Sequence, residues 1–246
     1  MTNVSQSTGP SSASRSGSKG NLGTQMRGRL QSAYDSRGKA TASLWYVYSA
    51  KASADVCLHG DTHYYHYLLV ESDPTISSVE YNYASKARGI AGDPIGDAVS
   101  VRIETREKAV VWRCVCSEPS KELSTLVENT QTLIERKAYR SLPDRIEVVT
   151  AEEVIANPIR IQNWNRLMPY LAQAQALPLQ EYGNDVAALL HTRSTVTLID
   201  VVALARESNH VALHVAALVR GVQLGRYESD LNEQPLSDRS TFWSAK

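Results

Sequence analysis

Residues Val56–Ser117 read VCLHGDTHYYHYLLVESDPTISSVEYNYASKARGIAGDPIGDAVSVRIETREKAVVWRCVCS. Apolar spacing predicts an amphipathic helix over Asp61–Glu71, and it must stop ahead of Asp73-Pro74, because proline disfavours helical backbone in the residue before it. Val79-Glu80-Tyr81-Asn82-Tyr83 alternates as a half-buried strand does, which places a strand over Ser77–Tyr83. Gly89, Gly92 and Pro94 mark the stretch Lys86–Ile95 as a loop. A second strand is expected over Gly96–Thr105, with Val99, Val101 and Ile103 on one face, and Glu104–Lys108 turns the chain. The third strand, Lys108–Ser117, contains the continuous apolar run Ala109–Cys116 and reads as a central strand buried on both faces.

Outward from this stretch, Ser117-Glu118-Pro119 starts a helix over Lys121–Ala138, with Leu123, Leu126, Val127, Leu133 and Ile134 as its inward stripe. A short strand follows at Ile146–Val149. The order is therefore helix, three strands, helix, strand. Upstream, Leu44–Ser49 (LWYVYS) has the aromatic and β-branched content of a first strand or of an element docking on this core. Downstream, Thr150-Ala151-Glu152-Glu153 matches a capping box opening a short helix closed by Pro158. Ile161–Ala176 is helical in spacing, with Pro169 as a kink or boundary. Three short helices are expected at Asn184–Thr192, Leu198–Glu207 and Asn209–Arg220, and Val222–Tyr227 reads as a strand pair or wing.

The chain has 246 residues, 42% of them hydrophobic, enough for one large domain or two small ones. It contains no run of about 18 apolar residues, and its first residues lack the apolar segment of a secretory signal. Three cysteines, Cys57, Cys114 and Cys116, do not make a disulfide framework and fit a reducing cytoplasm. The net charge of zero hides an asymmetry. Arg15, Lys19, Arg27, Arg29, Arg37 and Lys39 face a single acid, Asp35, within residues 1–40, so the remainder of the chain is acidic. Residues 1–25 are too poor in apolar side chains to offset chain entropy and read as disordered. The basic tail has the charge to hold phosphates, with Arg27, Arg29, Arg37 and Lys39 as its DNA-contact candidates, or simply to keep the chain soluble.

Three segments carry a resemblance to a known family. Leu69–Ile76 (LVESDPTI), Ile159–Leu171 (IRIQNWNRLMPYL) and Val211–Phe242, with its ALVRG, SDL and PLS stretches, resemble the TnsA-type endonuclease subunits of heteromeric bacterial transposases. The resemblance covers most of residues 45–246. It implies an α/β restriction-endonuclease-like N-terminal domain over 41–149 and an all-helical winged-helix-like C-terminal domain over 150–246, behind the basic tail of 1–40. It also implies a first half that cuts DNA at a transposon end. The second half would dock on a partner transposase of integrase type and an AAA+ ATPase regulator.

Carried over residue by residue, the family's helix glutamate falls on or near His63 and its metal-binding aspartate on Asp97, which follows Gly96 where such enzymes have Pro-Asp. The paired Glu/Gln and Lys of the next strand fall on Trp112 and Cys114, or on Arg113 and Val115 if the register slips by one. One carboxylate holds Mg²⁺ poorly, and an indole, a thiol or an apolar side chain does not orient water. Glu104, Glu107, Lys108, Glu118 and Lys121 are near in sequence without forming Glu-x-Lys on a strand. The expectation is a TnsA-like accessory subunit with a degenerate nuclease site. Asp97 is its one candidate metal ligand, and His63 stands at the second catalytic position. An active Mg²⁺-dependent endonuclease recruiting Asp61, Glu71, Asp97 and Glu104, and a winged-helix DNA-binding regulator, are the alternatives.

Other constellations carry less. Cys57, His59, His63 and His66 would make a zinc-type donor set only if the helix began before Asp61. Cys114 and Cys116 share one strand face and read as buried small hydrophobes. Tyr64, Tyr65 and Tyr67 cannot share one helix face, so packing is their default role rather than base stacking. The expected recognition helix is mostly Val, Ala and Leu, poor in the side chains that read DNA. His210, His214 and Arg220 are accordingly candidates for protein docking.

Overall fold

The computed structural model describes residues 43–83, 95–138, 142–206 and 209–245, without the side chains of Gly96 and Asp97. The described residues gather into one compact unit. Two strands, β1 (Leu44–Ser49) and β2 (Ala54–His59), form an antiparallel hairpin that leads into helix α1 (Asp61–Ser72). Strand β3 (Ile76–Tyr81) follows, then a helical turn α2 (Ile95–Ala98), strands β4 (Val101–Thr105) and β5 (Val110–Cys116), helix α3 (Lys121–Glu135) and strand β6 (Arg145–Thr150). These four strands make one sheet in the order β3-β4-β5-β6, antiparallel except for the parallel pair β5–β6. Parallel neighbours need a crossover, and α3 supplies it.

The expected order of helix, three strands, helix and strand is present, and the chain is mixed α/β. Three local differences have physical causes. Ala54–His59 is a strand that the sequence reading passed over, because Asp55 and the terminal His59 break its apolar run; Leu44–Ser49 supplies its partner in register from Leu44–His59 to Ser49–Ala54. The stretch around Gly96 and Asp97 is a helical turn rather than the opening of a strand, so β4 begins only at Val101. Helix α1 is not amphipathic in the simple sense: Tyr64, His66, Tyr67, Leu68, Val70, Glu71 and Ser72 are all buried, as in a helix covered on more than one side.

The sheet is packed on both faces. Val111 and Val115 of β5 join Val70 of α1 in one apolar cluster. Trp112 and Cys114 join Ile146, with Leu123, Leu126 and Val127 of α3 against them, in another. Burial of Cys114 pushes its thiol up to about 12, which keeps it an inert small hydrophobe.

The remaining elements are α4 (Ala151–Ile155), α5 (Pro158–Gln173), α6 (Gln180–Thr192), β7 (Thr195–Thr197), α7 (Leu198–Arg206), α8 (Val211–Gln223), β8 (Tyr227–Ser229) and β9 (Thr241–Ser244). Thr150 ends β6 and caps α4 with both bonds of the capping box, so no linker separates sheet from helices. Pro158 opens α5 as its first residue, where its missing N–H costs nothing, instead of only closing the preceding helix. Helix α8 runs on through Gln223, into the stretch Val222–Tyr227 expected as a strand pair or wing. The strands at this end of the chain form a three-stranded antiparallel sheet ordered β7-β9-β8.

The helix α8 ends in a Schellman arrangement. Arg226 N–H donates to the Gly221 carbonyl and Gly225 N–H to that of Val222, both at 2.9 Å. Gly225 sits at φ 58°, which a side chain would resist.

One apolar core links the helical half to α1: Tyr64, Tyr67 and Leu68 belong with Trp164, Leu167, Leu218 and Phe242. The tyrosines are packed as their spacing suggested. Tyr64 stacks on Trp45 with ring centroids 4.0 Å apart, and the Tyr67 hydroxyl donates to the Tyr48 carbonyl at 2.5 Å. Among the described residues, no helix is long and apolar enough to cross a membrane.

Candidate functional site

Strand pleating sends the side chains of β5 to two opposite faces of the sheet. Arg113 and Val115 face α1, whereas Trp112 and Cys114 face α3. On the α1 side, Arg113 Nε donates to Glu147 Oε2 at 2.8 Å, from the residue directly opposite on β6. The other oxygen of Glu147 accepts from Arg145 Nε, also at 2.8 Å. Above this pair lies His66, fully buried, with Nε2 3.5 Å from Arg113 Nη1. Burial, then the Arg113 charge, then His63 lower the His66 pKa to about 3, so the ring is neutral. A neutral ring facing a guanidinium accepts through Nε2 and carries its proton on Nδ1. That Nδ1 is the one buried side-chain nitrogen or oxygen without a hydrogen-bond partner among the described residues.

The other residues singled out from sequence are spread around this centre. His63 lies on α1, and burial, assisted by His59, lowers its pKa. Asp97 lies on α2, and its side chain is outside the described residues. Asp61 is the first residue of α1 and accepts from Trp45 Nε1 at 2.9 Å; Glu104 is in an exposed pair with Lys108 at 3.4 Å. Arg27, Arg29, Arg37 and Lys39 lie outside the described residues. Cys57 and His59 fall on β2, not on the helix that carries His63 and His66.

Mg²⁺ prefers a near-octahedral set of oxygens, typically from one or two carboxylates with water. The described side chains around Arg113 do not fit it. They are a guanidinium, a neutral imidazole, Val115 and a carboxylate whose two oxygens are each bonded to an arginine. Among the described residues, no three of His, Cys, Asp and Glu converge so as to hold a metal ion.

A second polar centre lies at the other end of α1, and it joins residues far apart in sequence. Glu71 is fully buried; its Oε1 accepts from Ser49 Oγ at 2.5 Å and its Oε2 from Gln223 Nε2 at 2.8 Å. Burial raises its pKa, against the opposing pull of Ser49 and of Lys51. Lys51, in the β1–β2 turn, is 7% exposed, and its amine donates to the carbonyls of Val70, at 2.8 Å, and Asp73. It thus closes the C-terminal end of α1, where unpaired carbonyls and the helix dipole favour a cation. Burial nevertheless lowers its pKa to about 8, with Glu71 and Asp73 opposing that fall. Sequence reasoning missed this centre, except for naming Glu71, because a lysine in a turn reads as solvated.

The three docking candidates are also placed by packing. His214 is 2% exposed, with Nε2 3.1 Å from Asp185 Oδ2 and Nδ1 3.1 Å from the His210 carbonyl. His210 Nδ1 is 3.2 Å from the Tyr182 hydroxyl, so both histidines tie α8 to α6. Arg220 donates to Gln223 Oε1 at 2.9 Å. No residue of α8 is exposed. No protein-family model and no curated protein matches the chain.

Proposed function

We propose that this chain is a TnsA-like accessory subunit of a DNA transposition complex, built on a restriction-endonuclease-like core without the chemistry of cleavage. What supports the reading is the Arg113–Glu147 pair under His66: in one of the two registers that the resemblance leaves open, Arg113 stands where such nucleases have a metal-binding Glu or Gln, and Val115 where they have the lysine. A fixed guanidinium there repels a divalent cation, and its pairing uses the nearest carboxylate. The order of α6, β7, α7, α8, β8 and β9, with β9 central in the small sheet, supports a winged-helix reading of the second half. The burial of α8 favours a structural or protein-docking role over a helix lying in a DNA groove. On this reading the partners are DNA, an integrase-type transposase and an AAA+ ATPase, and the work is assembly.

The test is strand cleavage of supercoiled and transposon-end DNA in Mg²⁺ or Mn²⁺ with the partner transposase present, comparing wild type with Asp97→Ala. The expected result is no cutting by either protein while both support assembly on DNA. Cleavage by wild type that Asp97→Ala abolishes overturns the reading.

A further inference from the structure

Beside the Glu71 centre is a pocket of about 370 Å³, formed where the β1–β2 turn, the start of β3, the β4–β5 turn and the end of α8 converge. Its lining contains Lys51, Arg106, Arg220 and Arg226, with Gln223, Ser77, Ile76 and Leu224, and no carboxylate. Among the described residues, none of the three arginines is in an ion pair. Of the two acids that act on Lys51 from behind the wall, Glu71 is bonded to Ser49 and Gln223, and its burial favours the neutral form; Asp73 accepts from the Thr75 amide and hydroxyl.

Three of the C-terminal carbonyls of α8, which would oppose an anion, are occupied. Those of Arg220, Gly221 and Val222 accept from the amides of Leu224, Arg226 and Gly225. The absence of a Cβ at Gly225 also makes room for Arg106, whose Nη1 lies 3.3 Å from the place that atom would take.

Four cations around a cavity whose lining holds no carboxylate repel one another, and an anion in the cavity relieves that repulsion. We infer that this pocket is a binding site for a terminal phosphate or pyrophosphate group. Arginine suits it, because a guanidinium meets phosphate oxygens with paired N–H donors. Lys51 adds the N–H left after its bonds to the carbonyls of Val70 and Asp73. The burial of Lys51 and Gln223 selects for a terminal group, which presents three oxygens to the interior. An in-chain phosphodiester is flanked by sugars on both sides. Arg106 also lines a neighbouring cleft of about 770 Å³ bounded by Tyr227 and Trp243, which gives the rest of a phosphorylated ligand a place to lie. The inference stands independently of the proposed function.

The experiment is calorimetric titration of the full-length protein with pyrophosphate at low ionic strength. Wild type is compared with Arg106→Gln/Arg226→Gln, both exposed positions, and with Arg27→Gln/Arg29→Gln in the basic tail; circular dichroism checks folding. Saturable binding by wild type, weakened at least about tenfold in the pocket variant and unchanged in the tail variant, is expected. No saturable binding, or equal affinity in the pocket variant, overturns it. Competition then identifies the source. Displacement of pyrophosphate by a 5′-phosphorylated duplex but not by its 5′-hydroxyl counterpart supports the site with a DNA end as its ligand. Displacement by neither supports it with a small phosphorylated molecule.

Discussion

Replacing Lys51 by methionine isolates the energetic consequence of burying a cation at the end of α1. In the folded chain the ammonium gives up water for two carbonyl bonds, and its pKa falls from 10.5 to about 8. Because the folded value is depressed, the unfolded chain binds the proton more tightly. The resulting cost to stability is fully present below the folded pKa and fades as the pH rises toward 10.5. With one pKa unit worth about 1.4 kcal/mol, the cost is about 3.4 kcal/mol at pH 7 and about 0.8 kcal/mol at pH 10. Lys51→Met removes that cost and leaves the carbonyls of Val70 and Asp73 without their donor, an offset on the order of 3 kcal/mol that does not titrate. Urea unfolding of both proteins in phosphate-free buffer is therefore expected to show near-equal stability at pH 7. By pH 10, wild type should gain about 2.5 kcal/mol relative to the variant. Tyrosine titration affects both proteins and drops out of the difference. A stability difference that stays constant to within about 0.5 kcal/mol from pH 7 to pH 10 refutes the assignment of Lys51 as a buried ammonium.

Two further outcomes follow from buried polar groups. His66 has its pKa lowered from 6.5 to about 3, so its contribution is present above pH 6.5 and is lost as acid protonates the unfolded chain first. His66→Leu should be less acid-sensitive, with wild type losing about 4 kcal/mol relative to it between pH 7 and pH 3.5, measured by denaturant unfolding. Asn163, 2% exposed on α5, donates to the carbonyls of Leu231 and Gln234 and accepts from Leu236 N–H, each at 2.7 Å. Asn163→Ala should cost about 3 kcal/mol or more, and hydrogen exchange should show lost protection at Leu236.

The helix-strand order of the first half was legible because its signals are local. Proline after Asp73, alternation through Val79–Tyr83 and the apolar run of β5 each act over a few residues. The side-chain register on β5 was not, since alternation cannot say which face of a two-sided strand meets which helix; only the contacts of Arg113 with His66 and Glu147 settle it. The Glu71 centre was illegible for a different reason. Its partner Gln223 is 152 positions away, and the burial of Lys51 depends on the end of α1 closing over a turn. The expected wing failed locally: Val222 and Gln223 prolong α8, because the αL glycine that stops it comes only at Gly225.

The passage from β6 to α4 through Thr150 has a consequence for how this chain can be handled and how it can change. Thr150 belongs to both the sheet and the following helix, and α1 contributes to the core beyond it. Cutting there would expose Tyr64, Tyr67 and Leu68 on one side and Trp164 and Leu218 on the other. Neither fragment would be a module that could be expressed, exchanged or inherited separately. A graft at residue 150 would have to replace α1 as well, so any exchange has to carry the described elements from β1 to β9 together.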